Sequence, residues 1–221
     1  MRGLNVFIGL LLSLAGYGQQ SAIGLTGGPS LCRLRGNNIF KQVDPVVGHQ
    51  FGIHYSCWSK RGFGVDAQVN YLRMGGALDF IGLDQLGDEI YRDHIRYRID
   101  HLGLALGASF RSQGRVHAQF QLGLMPSMVV AAEFRSPAGF NDPGDFVVTD
   151  LSAEVNDPVL FGYGAFGGSV DLKAPVAVGL MLHYTQGLTT LSRSNFFKDE
   201  SILETSWTLA LTLTYRWGDG G

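Results

Sequence analysis

The chain has 221 residues and a formal net charge of -2 at pH 7, so it carries no basic footprint for nucleic acid. Charged residues make up only 16%, against roughly 25% in an average soluble domain, and 31 glycines and many aromatics suit packed strands better than a helical enzyme. Two cysteines, Cys32 and Cys57, are too few for a disulfide scaffold and lack metal-ligand spacing.

The N-terminus reads as a secretory signal peptide over residues 1–18, followed by one domain over 19–221. Arg2 supplies the positive start, residues 6–14 are a short apolar run, and Gly16-Tyr17-Gly18 places small residues at the cleavage point. The apolar run is too short to span about 30 Å of hydrocarbon. No later stretch approaches the length of a transmembrane helix.

Eight strands are expected. The first covers about 22–31. The second, 46–58, sets Val47, His49, Phe51, Ile53, Tyr55 and Cys57 against Gly48, Gln50, Gly52, His54 and Ser56. The third, 63–73, sets Phe63, Val65, Ala67, Val69 and Tyr71 against Gly64, Asp66, Gln68 and Asn70. In the fourth, 95–111, Tyr97 and Ile99 stand in one phase and Leu102, Leu104, Leu106, Ala108 and Phe110 in the other. A β-bulge near Asp100-His101 accounts for the change of phase.

The fifth strand is expected at 115–130, with its regular part disturbed at Pro126. The sixth, 159–172, is Gly-rich and ambiguous in phase. The seventh, 176–188, alternates Val176, Val178, Leu180, Leu182 and Tyr184 with Ala177, Gly179, Met181, His183 and Thr185. The eighth, 207–217, carries Trp, Leu, Leu, Leu, Tyr and Trp on one face and Thr, Ala, Thr, Thr and Arg on the other. Strand side chains alternate between faces. Apolar residues outward with aromatics at both ends, and small polar residues inward, is the pattern of a membrane barrel.

The connections decide between this and a soluble barrel. Residues 59–62, 112–114 and 173–175 are tight turns, whereas 32–45, 74–94, 131–158 and 189–203 are long. Short and long alternate strictly. The fold class expected is all-β: an eight-stranded antiparallel transmembrane β-barrel with short periplasmic turns and long extracellular loops. A lipocalin-like soluble barrel has no reason to alternate in this way.

The long loops are acidic. Asp79, Asp84, Asp88, Glu89 and Asp93 accompany Arg92, and Glu133, Asp142, Asp145, Asp150, Glu154 and Asp157 accompany Arg135. This is a solvated surface, or a site for a divalent cation or protein partner. Cys32 and Cys57 fall at opposite ends of their strands, which predicts two free thiols.

The inward set comprises Gln50, His54, Asp66, Gln68, Asn70, Arg96, Arg98, Asp100, His117, Gln119, His183 and Arg216. An eight-stranded barrel is just wide enough for side chains to fill it, so these groups should pair in a plugged polar core. A catalytic alternative would assemble His101, Ser109, His117 and Asp66. No Gly-x-Ser-x-Gly elbow, His-Glu-x-x-His or Cys-x-x-Cys motif supports one. No catalytic, cofactor or metal residue is therefore assigned, and no cofactor is expected.

The stretches Gly-Leu-Thr-Gly-Gly-Pro-Ser-Leu at 24–31, Phe-Gly-Val-Asp-Ala-Gln-Val-Asn-Tyr at 63–71 and Leu-Thr-Leu-Thr-Tyr-Arg-Trp at 211–217 carry a resemblance. The chain resembles the PorT-like outer-membrane β-barrel proteins of Bacteroidota. It departs from that family's Leu-Glu-Ile-Pro-Leu-Leu at the fourth strand, where Tyr97-Arg98-Ile99-Asp100-His101-Leu102 stands. The resemblance implies an integral barrel in the cell outer membrane, with some members linked to secretion machinery. The expected role is a structural or partner-binding platform. Its partners would be outer-membrane lipid and a protein met through the extracellular loops, and not nucleic acid. The alternatives are a lipid-modifying outer-membrane enzyme and a soluble exported barrel for a small apolar ligand.

Overall fold

The structure, a computed structural model, describes residues 20–36, 43–83, 89–137, 146–155, 157–173, 175–191 and 202–218, with backbone alone at 79–83, 89–94, 137 and 146. The expected signal peptide, residues 1–18, lies outside the described residues. Nine strands run through the described residues: β1 (Gln20–Arg35), β2 (Val46–Trp58), β3 (Phe63–Leu83), β4 (Glu89–Arg111), β5 (Val116–Pro137), β6 (Phe146–Asp150), β7 (Val159–Lys173), β8 (Val176–Gly187) and β9 (Leu203–Trp217). All pairings are antiparallel, and no helix occurs among the described residues.

Eight of the strands close into a ring. Each of β1 to β5 pairs with the next, β5 pairs with β7, β7 with β8, β8 with β9, and β9 returns to β1. The short strand β6 stands outside the ring on the upper end of β5. Two of the tight turns are closed by glycines at positive φ, Gly62 (φ 86) and Gly114 (φ 114), a conformation that side chains with a Cβ resist.

The outer surface is apolar. Leu211 is 65% exposed and Leu122 59%, a degree of exposure that only a lipid-facing position tolerates around a whole barrel. Aromatics mark both borders of this band. At the lower border Tyr55 meets Trp217 (centroids 6.1 Å apart) and Phe63 meets Phe110 (5.0 Å). At the upper border Tyr184 meets Trp207 (4.5 Å) and His49 meets Tyr71 (6.0 Å). The ten steps along β9 from Trp207 to Trp217 stand about 25 Å tall at about 3.3 Å per residue and a tilt of about 40°. That matches the apolar band of an outer-membrane barrel.

Two loop expectations are corrected. Residues 74–94 form mostly strand: β3 and β4 continue as a paired ribbon beyond the membrane, to Gly82–Tyr91 and Leu83–Glu89. Within 131–158, β5 runs on to Pro137 and folds back through β6. Above the bilayer neither face of a ribbon meets lipid, so the apolar alternation that marks strands below is lost while backbone pairing persists.

The bulge falls at the expected level but on the neighbouring strand. Asp100 faces Ala131 and His101 faces Val129, which leaves Val130 of β5 as the extra residue. Below it Leu124 and Met128 face lipid, as Val130 itself does; above it Ala132 is buried and Phe134 packs on the interior cluster. On β4 the phase does not change. Ile99 stays inside with His101, and the interior itself changes from polar to apolar at this height.

That interior has two halves. The lower half is lined by polar side chains, including Gln50, His54, Asp66, Gln68, Asn70 and His183, all buried. The upper half is an apolar plug of Leu34, Leu72, Met74, Ile99, Met125 and Phe161, roofed by Val43, Leu151, Val155, Leu191 and Ile202 from the connections above. A wholly polar core was expected; the connections bring apolar residues down into the mouth instead.

The cysteines lie at opposite ends of the β1–β2 pair. Cys32 is level with Val46 and Cys57 with Ser21; both are buried and neither is in a disulfide. Neither thiol should react with a maleimide in the folded barrel, both should react after thermal unfolding, and reduction should leave gel mobility unchanged. Rapid labelling of Cys32 in the folded protein would contradict the sealed upper mouth.

Candidate functional site

Three polar clusters occupy the barrel interior, and a fourth lies on its outer rim. In the middle of the lumen, Asp66 is a hub. Ser56 Oγ donates to its carboxylate, Gln68 Nε2 donates to Oδ1 at 2.6 Å and Gln121 Nε2 to Oδ2 at 3.2 Å. Gln68 Nε2 also donates to Gln121 Oε1 at 2.9 Å, which ties β3 to β5. Three donors converging on one buried carboxylate satisfy it without a cation. Beside this hub, among Thr26, His54, Gln119, His183 and Thr214, a cavity of about 20 Å³ remains, room for about one water.

Higher up, His101 Nε2 and Glu204 Oε2 approach to 2.8 Å, with side chains 0% and 1% exposed. The approach is close, but poorly aligned as a hydrogen bond. Strands β4 and β9 are four apart in either direction around the ring, so this pair bridges opposite walls. Phe161 stands edge-on to the imidazole at 5.2 Å. The pair is a strut across the apolar plug.

At the lower mouth Asp171 gathers two arginines and a histidine. Arg216 pairs with its Oδ1, His117 Nε2 lies 3.1 Å from Oδ2, and Arg111 stands 3.7 Å from Oδ1. Arg111 also lies over the Trp58 ring, 5.2 Å from its centroid. His117 Nδ1 meets the Ser112 carbonyl at 2.8 Å, which fixes the ring.

The catalytic alternative is not assembled. His101 is engaged with Glu204, His117 with Asp171, and Asp66 with its amide and hydroxyl donors, while Ser109 Oγ is buried without a hydrogen-bond partner among the described residues. No group of three or more His, Cys, Asp or Glu side chains with metal-binding geometry occurs among the described residues. Of the acidic loop residues, Asp84, Asp88, Asp142 and Asp145 lie outside the described residues.

Of the inward set, Gln50, His54, Asp66, Gln68, Asn70, His117 and His183 are buried inside, with Gln119 and Arg216 half-buried. Arg96, Arg98 and Asp100 are not inside. Leu72 pairs with His101 and both are buried in the lumen, so the next rung, Arg73 with Asp100, faces outward. There Asp100 accepts from Arg73 Nε at 2.9 Å and from Arg98 Nη2 at 2.9 Å, and Arg73 Nη2 reaches the Tyr71 hydroxyl at 3.1 Å. Glu133 continues the row, 3.6 Å from Arg98 and 3.2 Å from Arg135.

Glu204, Asp171 and Arg111 were not anticipated. Glu204 continues the inward column of Ser206 and Thr208, one turn of the alternation beyond where the strand was expected to begin. Asp171 sits on β7, whose inward residues include Phe161 and Tyr163 and whose outward ones include Gly162, Gly164 and Gly168, so polarity does not mark its faces.

Above the membrane β3, β4, β5 and β6 form one sheet, with β6 as its free edge among the described residues. Val147 and Val148 are each about half exposed there (49% and 54%). Hydrogen bonds from Ser152 end the strand and hold the exposed Asp150 carboxyl below the usual range.

No family model matches the chain, and no curated protein matches it. Solved structures do. Ail, the attachment invasion locus protein of Yersinia pestis, in complex with the heparin analogue sucrose octasulfate, is 14% identical, covering 90% of this chain and 99% of that one with a TM-score of 0.45. Neisserial surface protein A is 10% identical over 88% and 97% (TM-score 0.48). The outer membrane protein OprG from Pseudomonas aeruginosa is 10% identical over 92% and 97% (TM-score 0.47). The ring closure, the apolar band and the two aromatic borders of this chain make it an eight-stranded transmembrane β-barrel of the outer-membrane type.

Proposed function

We propose that the protein is a non-conducting, non-enzymatic platform in the outer membrane, working through the sheet it raises above the bilayer. The observation that carries this reading is the β6 edge of that sheet, unpaired among the described residues, with Val147 and Val148 half exposed. An edge strand presents unpaired N–H and C=O groups to which an extended segment of a partner can add. The lumen supports the same reading: among the described residues, the apolar plug above and the Asp66 hub below fill it with side chains, as expected for eight strands.

A finer assignment, to the PorT-like proteins of Bacteroidota and to secretion, rests on the resemblance alone. The matching stretches at 24–31, 63–71 and 211–217 all lie in barrel strands, so they speak for architecture rather than role. Deleting the gene and comparing secreted proteins tests that finer link.

The platform reading is tested with a photo-crosslinking residue placed at Val147 or Val148 in intact cells, and at lipid-facing Val178 as reference. A discrete protein adduct at 147 and 148, lost when residues 146–150 are replaced by a Gly-Ser stretch, is expected. Adducts no different from those at 178 would overturn it.

A further inference from the structure

The outward arginines of the upper rim form a site of their own. Arg33 and Arg35 on β1, Arg73 on β3, Arg96 and Arg98 on β4 and Arg135 on β5 all occupy outward positions. They lie just above the border set by His49 and Tyr71, at the height of lipid headgroups. Among the described residues the carboxylates beside them are Asp44, Asp100, Glu133 and Asp150, so positive charge is in excess there. On the opposite wall the upper outward ends of β8 and β9 carry Tyr184, Gln186 and Trp207, with no arginine or lysine among the described residues. Cations spread evenly around the rim would be ordinary interfacial anchors; these are gathered on one arc.

The arc encloses space. Between the start of β2 and the upper parts of β3 and β4, a recess of about 530 Å³ is lined by Asp44, Val47, Arg73, Arg96, Arg98 and Arg135, among others. Asp44 pairs with Ala77, one residue out of step with the His49–Arg73 rung, so the strands splay there. Asp100 holds Arg73 and Arg98 in place from below, and Glu133 holds Arg135. Guanidinium forks fixed in this way match phosphate oxygens two at a time. Below the recess the same outward columns carry Tyr71, Leu102 and Leu104, a surface for acyl chains.

We infer that this recess binds the phosphorylated headgroup of an outer-leaflet lipid, with Arg96 and Arg135 as phosphate ligands and Arg73 and Arg98, fixed on Asp100, as the floor. The site orients the barrel and its raised sheet in the outer leaflet.

The test uses the full-length protein folded in phosphatidylcholine nanodiscs doped with a bis-phosphorylated glycolipid or with its dephosphorylated counterpart. The lipid retained through mild detergent extraction is measured by mass spectrometry. The phosphorylated form should be enriched about tenfold over the neutral one. Exchanging both ligands, Arg96→Gln with Arg135→Gln, should remove that enrichment while leaving the Asp100 contacts and the heat-modified gel shift intact. Equal retention of the two lipids, or full retention by the folded double variant, would overturn the inference. So would complete displacement by inorganic phosphate, which would make this a site for a soluble anion.

Discussion

Replacing Asp171 by asparagine should cost about 3 kcal/mol of barrel stability, because it removes the anion that Arg111, Arg216 and His117 share. Arg111 is the sensitive member: its side chain is 4% exposed, and none of its nitrogens has a hydrogen-bond partner among the described residues. Asparagine keeps the shape and loses the charge, leaving two guanidiniums facing one another at the lower mouth. Arg111→Met should stay within about 1 kcal/mol of the parent, since it removes a buried cation and keeps an apolar contact for Trp58. Urea unfolding in lipid vesicles, followed by tryptophan fluorescence, measures both. A harmless Asp171→Asn would show that the cluster is solvated and adds little.

The second large effect belongs to the strut. Glu204→Leu alone should destabilise by about 3 kcal/mol, because it leaves the fully buried His101 without its polar partner. Adding His101→Leu should recover most of the loss, since the pair stands among Leu34, Ile99, Phe161 and Ile202, where two leucines are compatible neighbours. The cycle of single and double variants isolates the coupling between the two walls. Additive losses would mean that the pair does not act as a unit.

The membrane-spanning half of the barrel is legible in the sequence because each rung there meets lipid on one side and a narrow polar lumen on the other. β2 begins and ends where expected, at Val46 and Trp58, since its outward column is apolar or aromatic almost throughout. The alternation carries β3 only to Arg73, ten residues short of its end at Leu83: beyond Arg73 the chain leaves the bilayer, and outward residues such as Gly75 carry no apolar mark. The same change of surroundings misplaced Arg96, Arg98 and Asp100. A strong dipole of residues beside Ile99 looks inward when lipid is assumed outside, yet at the headgroup level an outward arginine is well solvated.

The interior clusters were half legible. Asp66, Gln68 and His117 declared themselves by alternation within long regular strands. The partners of His117 and His101 did not, because Asp171 and Glu204 come from far along the chain and from strands whose pattern is blurred by glycine or by a late start. Which walls face each other depends on ring closure, a property that no local pattern contains. The segment where the chain departs from the PorT-like pattern, residues 97–102, supplies both Asp100 of the outer cluster and His101 of the strut.

Gel mobility of the detergent-extracted membrane fraction, boiled against unboiled, tests the closed membrane-spanning barrel most directly. A closed barrel resists unfolding by detergent, so the unboiled protein should migrate apart from the boiled form and should partition with the outer membrane. A protein that migrates identically in both samples and is recovered free in the periplasm would contradict it.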